Sequence, residues 1–174
     1  DLSNTAIASL PFEQQSYLFA QCSKLAYDCP DAGAAAFAKL GLMSEYIDVS
    51  DNQVYVLTSD TDTILAFRGT EADFNDIASD AKISMRTFPG FGSVHHGFAD
   101  AVEDVWSRVA TATERLDGRK LWVTGHSLGG AMATIAAVRI IRRGAVPSLN
   151  LFTYGSPKVG NGKFAAAFAA APIQ

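Results

Sequence analysis

We expect the 174-residue chain to form one α/β domain over residues 1–174, with a mostly parallel, twisted sheet and helices on both faces. Short apolar runs alternate with helical patterns along its second half, in the order β, α, β, α. The composition is 48% hydrophobic, which suits one large core and excludes a disordered chain. In such a sheet, functional groups collect beyond the carboxyl ends of the strands.

The N-terminal half predicts two helices followed by a hairpin of strands. The first helix covers residues 11–27, because a proline stands near its start and apolar residues recur on one face. A second, shorter helix covers 32–40. Two apolar strands follow at 53–58 and 63–67, and the polar turn at 59–62 predicts that they pair antiparallel.

The C-terminal half predicts three helices and two strands. A stripe of apolar residues at helical spacing marks a core-facing helix over 98–116. The short apolar runs 120–124 and 149–154 are typical of strands buried on both faces. Between them, 128–141 is rich in alanine and aliphatic residues and ends in arginines, which favours a helix. A last helix is expected over 162–170.

Charge and cysteine content limit the class of protein. The formal net charge of −4 leaves no basic surface for nucleic acid, so we expect no nucleic-acid partner. No apolar run is long enough for a transmembrane segment. Cys22 and Cys29 could pair only if the helix that carries Cys22 ends before Cys29, and we favour free thiols.

Ser127 is the predicted nucleophile. The segment Gly125-His126-Ser127-Leu128-Gly129 matches the G-x-S-x-G pattern, in which a sharp turn between a strand and a helix lifts a seryl hydroxyl above the sheet. A serine in a solvated loop is the alternative for the bare pattern, and the flanking strand and helix favour the nucleophile. Because Leu128 opens that helix, its backbone N–H is free to stabilise an oxyanion.

A second oxyanion donor is predicted at Thr70, which follows a strand and Gly69. The alternative is that Thr70 only caps the next helix. Residues 71–85 carry apolar residues on one helical face, so this segment could be a lid, with 87–92 as its flanking loop. A static surface helix explains the same pattern.

Four ordered segments carry a family resemblance: Ala-Phe-Arg-Gly-Thr at 66–70, Val-His-His-Gly-Phe at 94–98, Val-Thr-Gly-His-Ser-Leu-Gly-Gly-Ala at 123–131, and Thr-Tyr-Gly-Ser-Pro-Lys-Val-Gly-Asn at 153–161. With them the chain resembles the class 3 lipases, α/β-hydrolases that include fungal triacylglycerol lipases and feruloyl esterases. The resemblance implies Ser127 as nucleophile, Thr70 and the Leu128 amide as oxyanion hole, and residues 71–85 as lid. It implies neither metal nor organic cofactor.

The same resemblance places a triad aspartate and histidine later in the pattern than residue 174. We therefore expect this sequence to be the N-terminal portion of a longer hydrolase, incomplete at its C-terminus. His126, beside the nucleophile, is expected to be structural, and His95 and His96 are not expected to act as the base. Without a base, an oxyanion hole and a binding cleft keep only about 10³ to 10⁴ over water of the acceleration.

The predicted function is hydrolysis of acylglycerols or similar lipophilic esters through an acyl-enzyme, with transient contact to a lipid–water interface. The resemblance favours secretion, and a cytoplasmic location stays open. One alternative is a catalytically inactive hydrolase fold that binds lipid or a partner protein. A feruloyl-type esterase or an acyltransferase is the other, since the serine motif does not distinguish substrates.

Overall fold

The computed structural model describes residues 2–70 and 84–174. Its strands are β1 (Met43–Val49), β2 (Asn52–Thr58), β3 (Asp62–Phe67), β4 (Met85–Phe88), β5 (Gly92–His95), β6 (Lys120–His126) and β7 (Asn150–Tyr154). Its helices are α1 (Phe12–Leu25), α2 (Pro30–Lys39), α3 (His96–Glu114), α4 (Leu128–Arg142) and α5 (Gly162–Ala169), preceded by a 3₁₀ turn at Ile7–Ser9.

Five strands form the central sheet in the order β1-β2-β3-β6-β7. The strands β3, β6 and β7 are parallel, while β1, β2 and β3 form an antiparallel meander. Ser50 and Asp51 join β1 to β2 with φ of 52° and 62°, the left-handed pair that a tight hairpin requires. The carboxyl ends of β3 and β6 meet where Phe67 pairs with Gly125.

Helices cover both faces of this sheet, as predicted. Alternate residues of β3 point to opposite sides: Leu65 and Phe67 pack in the core under α3 and α4, whereas Ile64 and Ala66 pack in the core under α1 and α2. A strand covered on both sides must be apolar at nearly every position, which is why the run from Ile64 to Phe67 carries no polar residue. The carboxyl ends of the strands, next to which the predicted functional residues lie, are therefore packed between two hydrophobic cores.

The predicted helices and strands that fall within the described residues are confirmed, with bounds that differ by a few residues. The sequence interpretation missed β1, in which Ile47 is buried and the other side chains are exposed or half-buried. The loop expected at 87–92 is shorter, because β4 and β5 pair as an antiparallel hairpin and only 89–91 form its turn. That hairpin is mostly exposed along β4 and so lacks the apolar alternation that marks a strand.

Three further expectations can be placed on the structure. The proposed lid at 71–85 lies almost entirely outside the described residues, which resume at 84. Both cysteines are free thiols, with Cys22 buried and Cys29 exposed. Within the described residues, every helix is too short or too polar to cross a bilayer.

Candidate active site

Ser127 occupies the junction between β6 and α4. Its backbone has φ 55° and ψ −126°, a left-handed conformation that costs a residue with a side chain about 1–3 kcal/mol. Hydrogen bonds hold this turn on both sides: the Ser127 N–H donates to the Tyr154 carbonyl at 2.9 Å, and the Ser127 carbonyl accepts from Gly130 N–H at 2.9 Å. The surrounding structure thus enforces a strained turn at the predicted nucleophile.

The Ser127 side chain is more enclosed than the sequence predicts, because the residue is only 5% exposed. Its hydroxyl makes no hydrogen bond to any described residue. The hydroxyl is nevertheless not among the described polar atoms that are both unpaired and shut off from solvent. The oxygen therefore keeps some contact with solvent.

The glycines around Ser127 are required for close packing. A Cβ on Gly125 would overlap the Gly129 carbonyl, and a Cβ on Gly129 would overlap the Phe67 carbonyl oxygen. The same Cβ would lie 2.9 Å from the Gly69 nitrogen. The first turn of α4 therefore packs directly on the end of β3 and on the loop that follows it.

Each of the two predicted oxyanion donors is adjacent in sequence to a residue of this contact. Gly69 contacts the first turn of α4, and Thr70 follows it on the exposed side of the loop. Leu128 is the first residue of α4, so its N–H has no acceptor within the helix. The structure places Thr70, Ser127 and Leu128 around the joined carboxyl ends of β3 and β6.

A cavity of about 400 Å³ opens beside Thr70 and His126. Its lining residues come from α1 and the turn that follows it, from the loop after β3, and from the ends of β6 and β7: Ala20, Ser23, Lys24, Tyr27, Thr70, His126 and Tyr154. The Tyr154 hydroxyl donates to the Ser16 carbonyl at 2.5 Å. Burial raises the pKa of Tyr154, and a separate hydrogen bond with the Ser16 side chain opposes that rise without cancelling it. Tyr154 therefore meets the cavity as a neutral phenol.

No histidine of the described residues forms a hydrogen bond with Ser127. His126 is exposed, with Nδ1 3.0 Å from the Tyr27 hydroxyl. The His95 ring stacks on Phe98 at 4.1 Å between centroids, and His96 Nε2 lies 3.1 Å from a carboxylate oxygen of Asp100. Within the described part of the chain, no three His, Cys, Asp or Glu side chains form a group that could hold a metal ion.

The sequence interpretation missed the side chains that form hydrogen bonds next to the turn at Ser127. Thr124, on β6, has its hydroxyl 2.9 Å from that of Ser23 and donates to the Phe152 carbonyl at 2.9 Å. Tyr27 reaches the same region from the end of α1. The Ser23–Thr124 and Tyr27–His126 contacts join residues about 100 positions apart in sequence, so periodicity and spacing along the chain carry no signal for them.

Comparison with known proteins gives one consistent family. The class 3 lipase family model matches residues 64–172. A secreted mono- and diacylglycerol lipase of Fusarium solani is 46% identical over 76 residues, covering 41% of this chain and 22% of the relative. A lipase of Rhizopus niveus is 38% identical over 128 residues, covering 67% of this chain and 32% of the relative.

A solved structure agrees with these relatives. It is a triacylglycerol lipase described as having a serine protease triad as its catalytic centre, and it superposes with a TM-score of 0.77 at 26% identity. The superposition covers 92% of this chain and 68% of that one. The chain thus spans about a quarter to a third of the two curated relatives, whose matched shares are 22% and 32%.

Proposed function

Because the chain belongs to the class 3 lipase family and has its α/β-hydrolase fold, we propose that the protein is a serine ester hydrolase. The observation that carries this proposal is the strained turn at Ser127, packed against the loop that bears Thr70. Strain of this kind persists only where the surrounding structure enforces it, and it is concentrated at functional sites. Nucleophilic attack by Ser127 on an ester accounts for the presence of that strain at this residue.

The proposed reaction has two steps. Ser127 Oγ attacks the ester carbonyl carbon, and the backbone N–H groups of Leu128 and Thr70 stabilise the negative charge on the carbonyl oxygen. The alcohol then leaves with a proton, and a water molecule hydrolyses the acyl-serine to release the acid. A general base must take the seryl proton, and full activity therefore depends on a base from outside the described residues.

We assign acylglycerols or similar lipophilic esters as substrates and an extracellular location. The support is the naming of relatives as secreted mono- and diacylglycerol lipases, together with the mainly apolar cavity beside Thr70. Since the substrate is insoluble in water, the reaction would take place during transient contact with a lipid–water interface. Residues 71–85 are proposed as the lid for that contact.

The test compares the natural full-length protein with its Ser127→Ala variant on nitrophenyl esters of increasing acyl length. We expect the variant to lose about 10⁴-fold or more in kcat, because removal of a catalytic serine alone has a cost of this order or larger. Ser107→Ala, an exposed substitution on α3, is the matched control and should leave kcat unchanged. Equal rates for wild type and Ser127→Ala would refute the proposal.

A catalytically inactive fold that binds lipid or a partner protein is the second candidate. The observation in its favour is that no described histidine is hydrogen-bonded to Ser127. It predicts saturable binding of lipid or protein that survives Ser127→Ala, without any Ser127-dependent hydrolysis. If hydrolysis is found, feruloyl esters in the same series distinguish a phenolic esterase from a lipase.

A further inference from the structure

The Tyr27 hydroxyl contacts both the loop that leads to Thr70 and the end of β6 that leads to Ser127 and Leu128. On one side, its oxygen is 3.0 Å from Nδ1 of His126 and 3.4 Å from the carbonyl oxygen of the same residue. His126 immediately precedes Ser127. On the other side, the hydroxyl lies against Gly69, which immediately precedes Thr70, so closely that a Cβ on Gly69 would overlap it.

One arrangement of hydrogens satisfies both contacts with His126. The imidazole Nδ1–H donates to the phenolic oxygen, and the phenolic O–H donates to the His126 carbonyl oxygen. A single tyrosine thereby bonds both the side chain and the backbone of the residue next to the nucleophile. Phenylalanine in its place would keep the ring and lose both bonds.

The loop after β3 is also packed on the Tyr27 ring. The Arg68 guanidinium carbon lies 5.9 Å from the ring centroid, a cation–π distance. The His126 ring meets the Tyr27 ring edge-on, with centroids 6.0 Å apart. Arg68–Gly69 in the loop after β3 and His126 at the end of β6 therefore contact one side chain from a third part of the fold.

We propose that Tyr27 is a positioning residue that sets the separation of the two oxyanion donors, an inference that rests on the proposed ester hydrolysis. Its ring and hydroxyl hold the Gly69–Thr70 loop and the turn at Ser127 at a fixed distance from each other. Catalysis by preorganised donors depends on this distance, because N–H groups stabilise an oxyanion only when both reach it at hydrogen-bonding range. Gly69 is the residue that leaves room for the hydroxyl.

The test is Tyr27→Phe in the natural full-length protein. We expect kcat on a nitrophenyl ester to fall about tenfold with KM changed less than about twofold, since the lost effect concerns the transition state rather than substrate binding. Labelling of Ser127 by a fluorophosphonate should slow by a similar factor, because phosphonylation uses the same oxyanion donors. Thermal unfolding should stay nearly unchanged, since Phe keeps the ring contacts.

Tyr17→Phe is the matched control, because Tyr17 is an exposed tyrosine of α1 whose hydroxyl accepts a hydrogen bond from Gln21, away from the cavity. It should leave kcat, KM and the labelling rate unchanged. A second variant, Gly69→Ala, places a methyl group against the Tyr27 hydroxyl and the His126 carbonyl. Its loss of kcat should be smaller in the Tyr27→Phe background than in wild type, because one of the two clashes is then absent.

The possible outcomes are distinct. If wild type shows Ser127-dependent hydrolysis and Tyr27→Phe keeps its kcat within twofold, the positioning role is refuted while the proposed function stands. A raised KM at constant kcat would also overturn it, since Tyr27 would then contact substrate. If wild type shows no Ser127-dependent hydrolysis, the proposed function fails and this inference fails with it.

Discussion

The buried polar groups at the two ends of strands β3 and β6 differ in how fully they are hydrogen-bonded. At the amino end of β3, the Asp62 carboxylate accepts three hydrogen bonds, from Trp122 Nε1 at 2.6 Å, Thr61 Oγ1 at 2.7 Å and the Ile7 N–H at 3.0 Å. At the carboxyl end of β6, the Ser127 hydroxyl has no partner among the described residues. The Asp62 carboxylate is thus fully hydrogen-bonded, whereas the Ser127 hydroxyl is not hydrogen-bonded to any described residue.

The backbone shows the same contrast. The turn into β3 is closed by Ser59 N–H donating to the Asp62 carbonyl at 2.9 Å, and Arg119 Nε donates to the Ser59 carbonyl at 2.8 Å. Neither Ser59 nor Asp62 has a positive φ, whereas Ser127 has φ 55°. We conclude that the Asp62 end stabilises the fold, while the Ser127 end holds strain for its proposed chemistry. Substitutions at the two ends should separate stability from activity.

The largest effect on stability is expected for Asp62→Ala. The substitution leaves the Trp122 and Ile7 donors buried without an acceptor, so the free energy of unfolding should fall by about 3 kcal/mol. Chemical denaturation measures this change. Asp60→Ala, at the exposed neighbouring turn position, is the control and should change stability by less than about 0.5 kcal/mol.

The specific activity per folded molecule should stay at the wild-type level in Asp62→Ala, because the site lies at the other end of the strands. A variant that is fully folded but inactive would break the proposed division between the two ends.

A smaller effect is expected from alkaline pH, which acts on the core under α1 and α2 rather than on either strand end. Burial raises the pKa of Cys22 from 9.0 to about 12, and burial is also the main cause that raises the pKa of Tyr55 from 10.0 to about 12. For each group, at pH values between its ordinary pKa and its raised pKa in the folded protein, the unfolded chain has released a proton that the folded chain retains. Rising pH therefore favours unfolding.

The contribution of Cys22 alone should amount to about 2 kcal/mol between about pH 8 and about pH 10.5, at 1.36 kcal/mol per pKa unit. Denaturation curves at the two pH values measure it. Cys22→Ala should flatten the pH dependence, and Cys29→Ala, at the exposed cysteine, should not. Identical slopes in both variants would show that Cys22 titrates normally in the folded protein.

The smallest effect concerns strain at the turn itself. Ser127→Gly should raise the free energy of unfolding by about 1 kcal/mol, because glycine adopts a positive φ without steric cost. Ser127→Ala should leave stability close to wild type, since alanine keeps the Cβ that causes the strain. Thermal denaturation of the two variants compares them directly. A destabilised Ser127→Gly would mean that the turn stores no releasable strain.

Much of the fold was predictable because its signals are local. The strand before Ser127, the helix after it and the two glycines all follow from a short stretch of sequence with a strong pattern. The strand β1 was missed because only Ile47 of its side chains is buried, so no apolar alternation marks it. The β4–β5 hairpin was missed for the same reason.

The supporting side chains of the site were not predictable in the same way. Tyr27 meets His126 across 99 positions of sequence, and Ser23 meets Thr124 across 101. Such contacts depend on how α1 docks on the sheet, which periodicity does not specify. The sequence likewise predicted a free seryl hydroxyl but not how far the surrounding turn encloses the residue.

Covalent labelling tests the central claim most directly, because it reports on the reactivity of one oxygen. The natural full-length protein would be treated with a fluorophosphonate, digested, and mapped by mass spectrometry, with Ser127→Ala treated in parallel. We predict a single adduct on the peptide that contains Ser127 and none in the variant. An adduct on another residue, or ester hydrolysis by a wild-type protein that is never labelled at Ser127, would contradict the account.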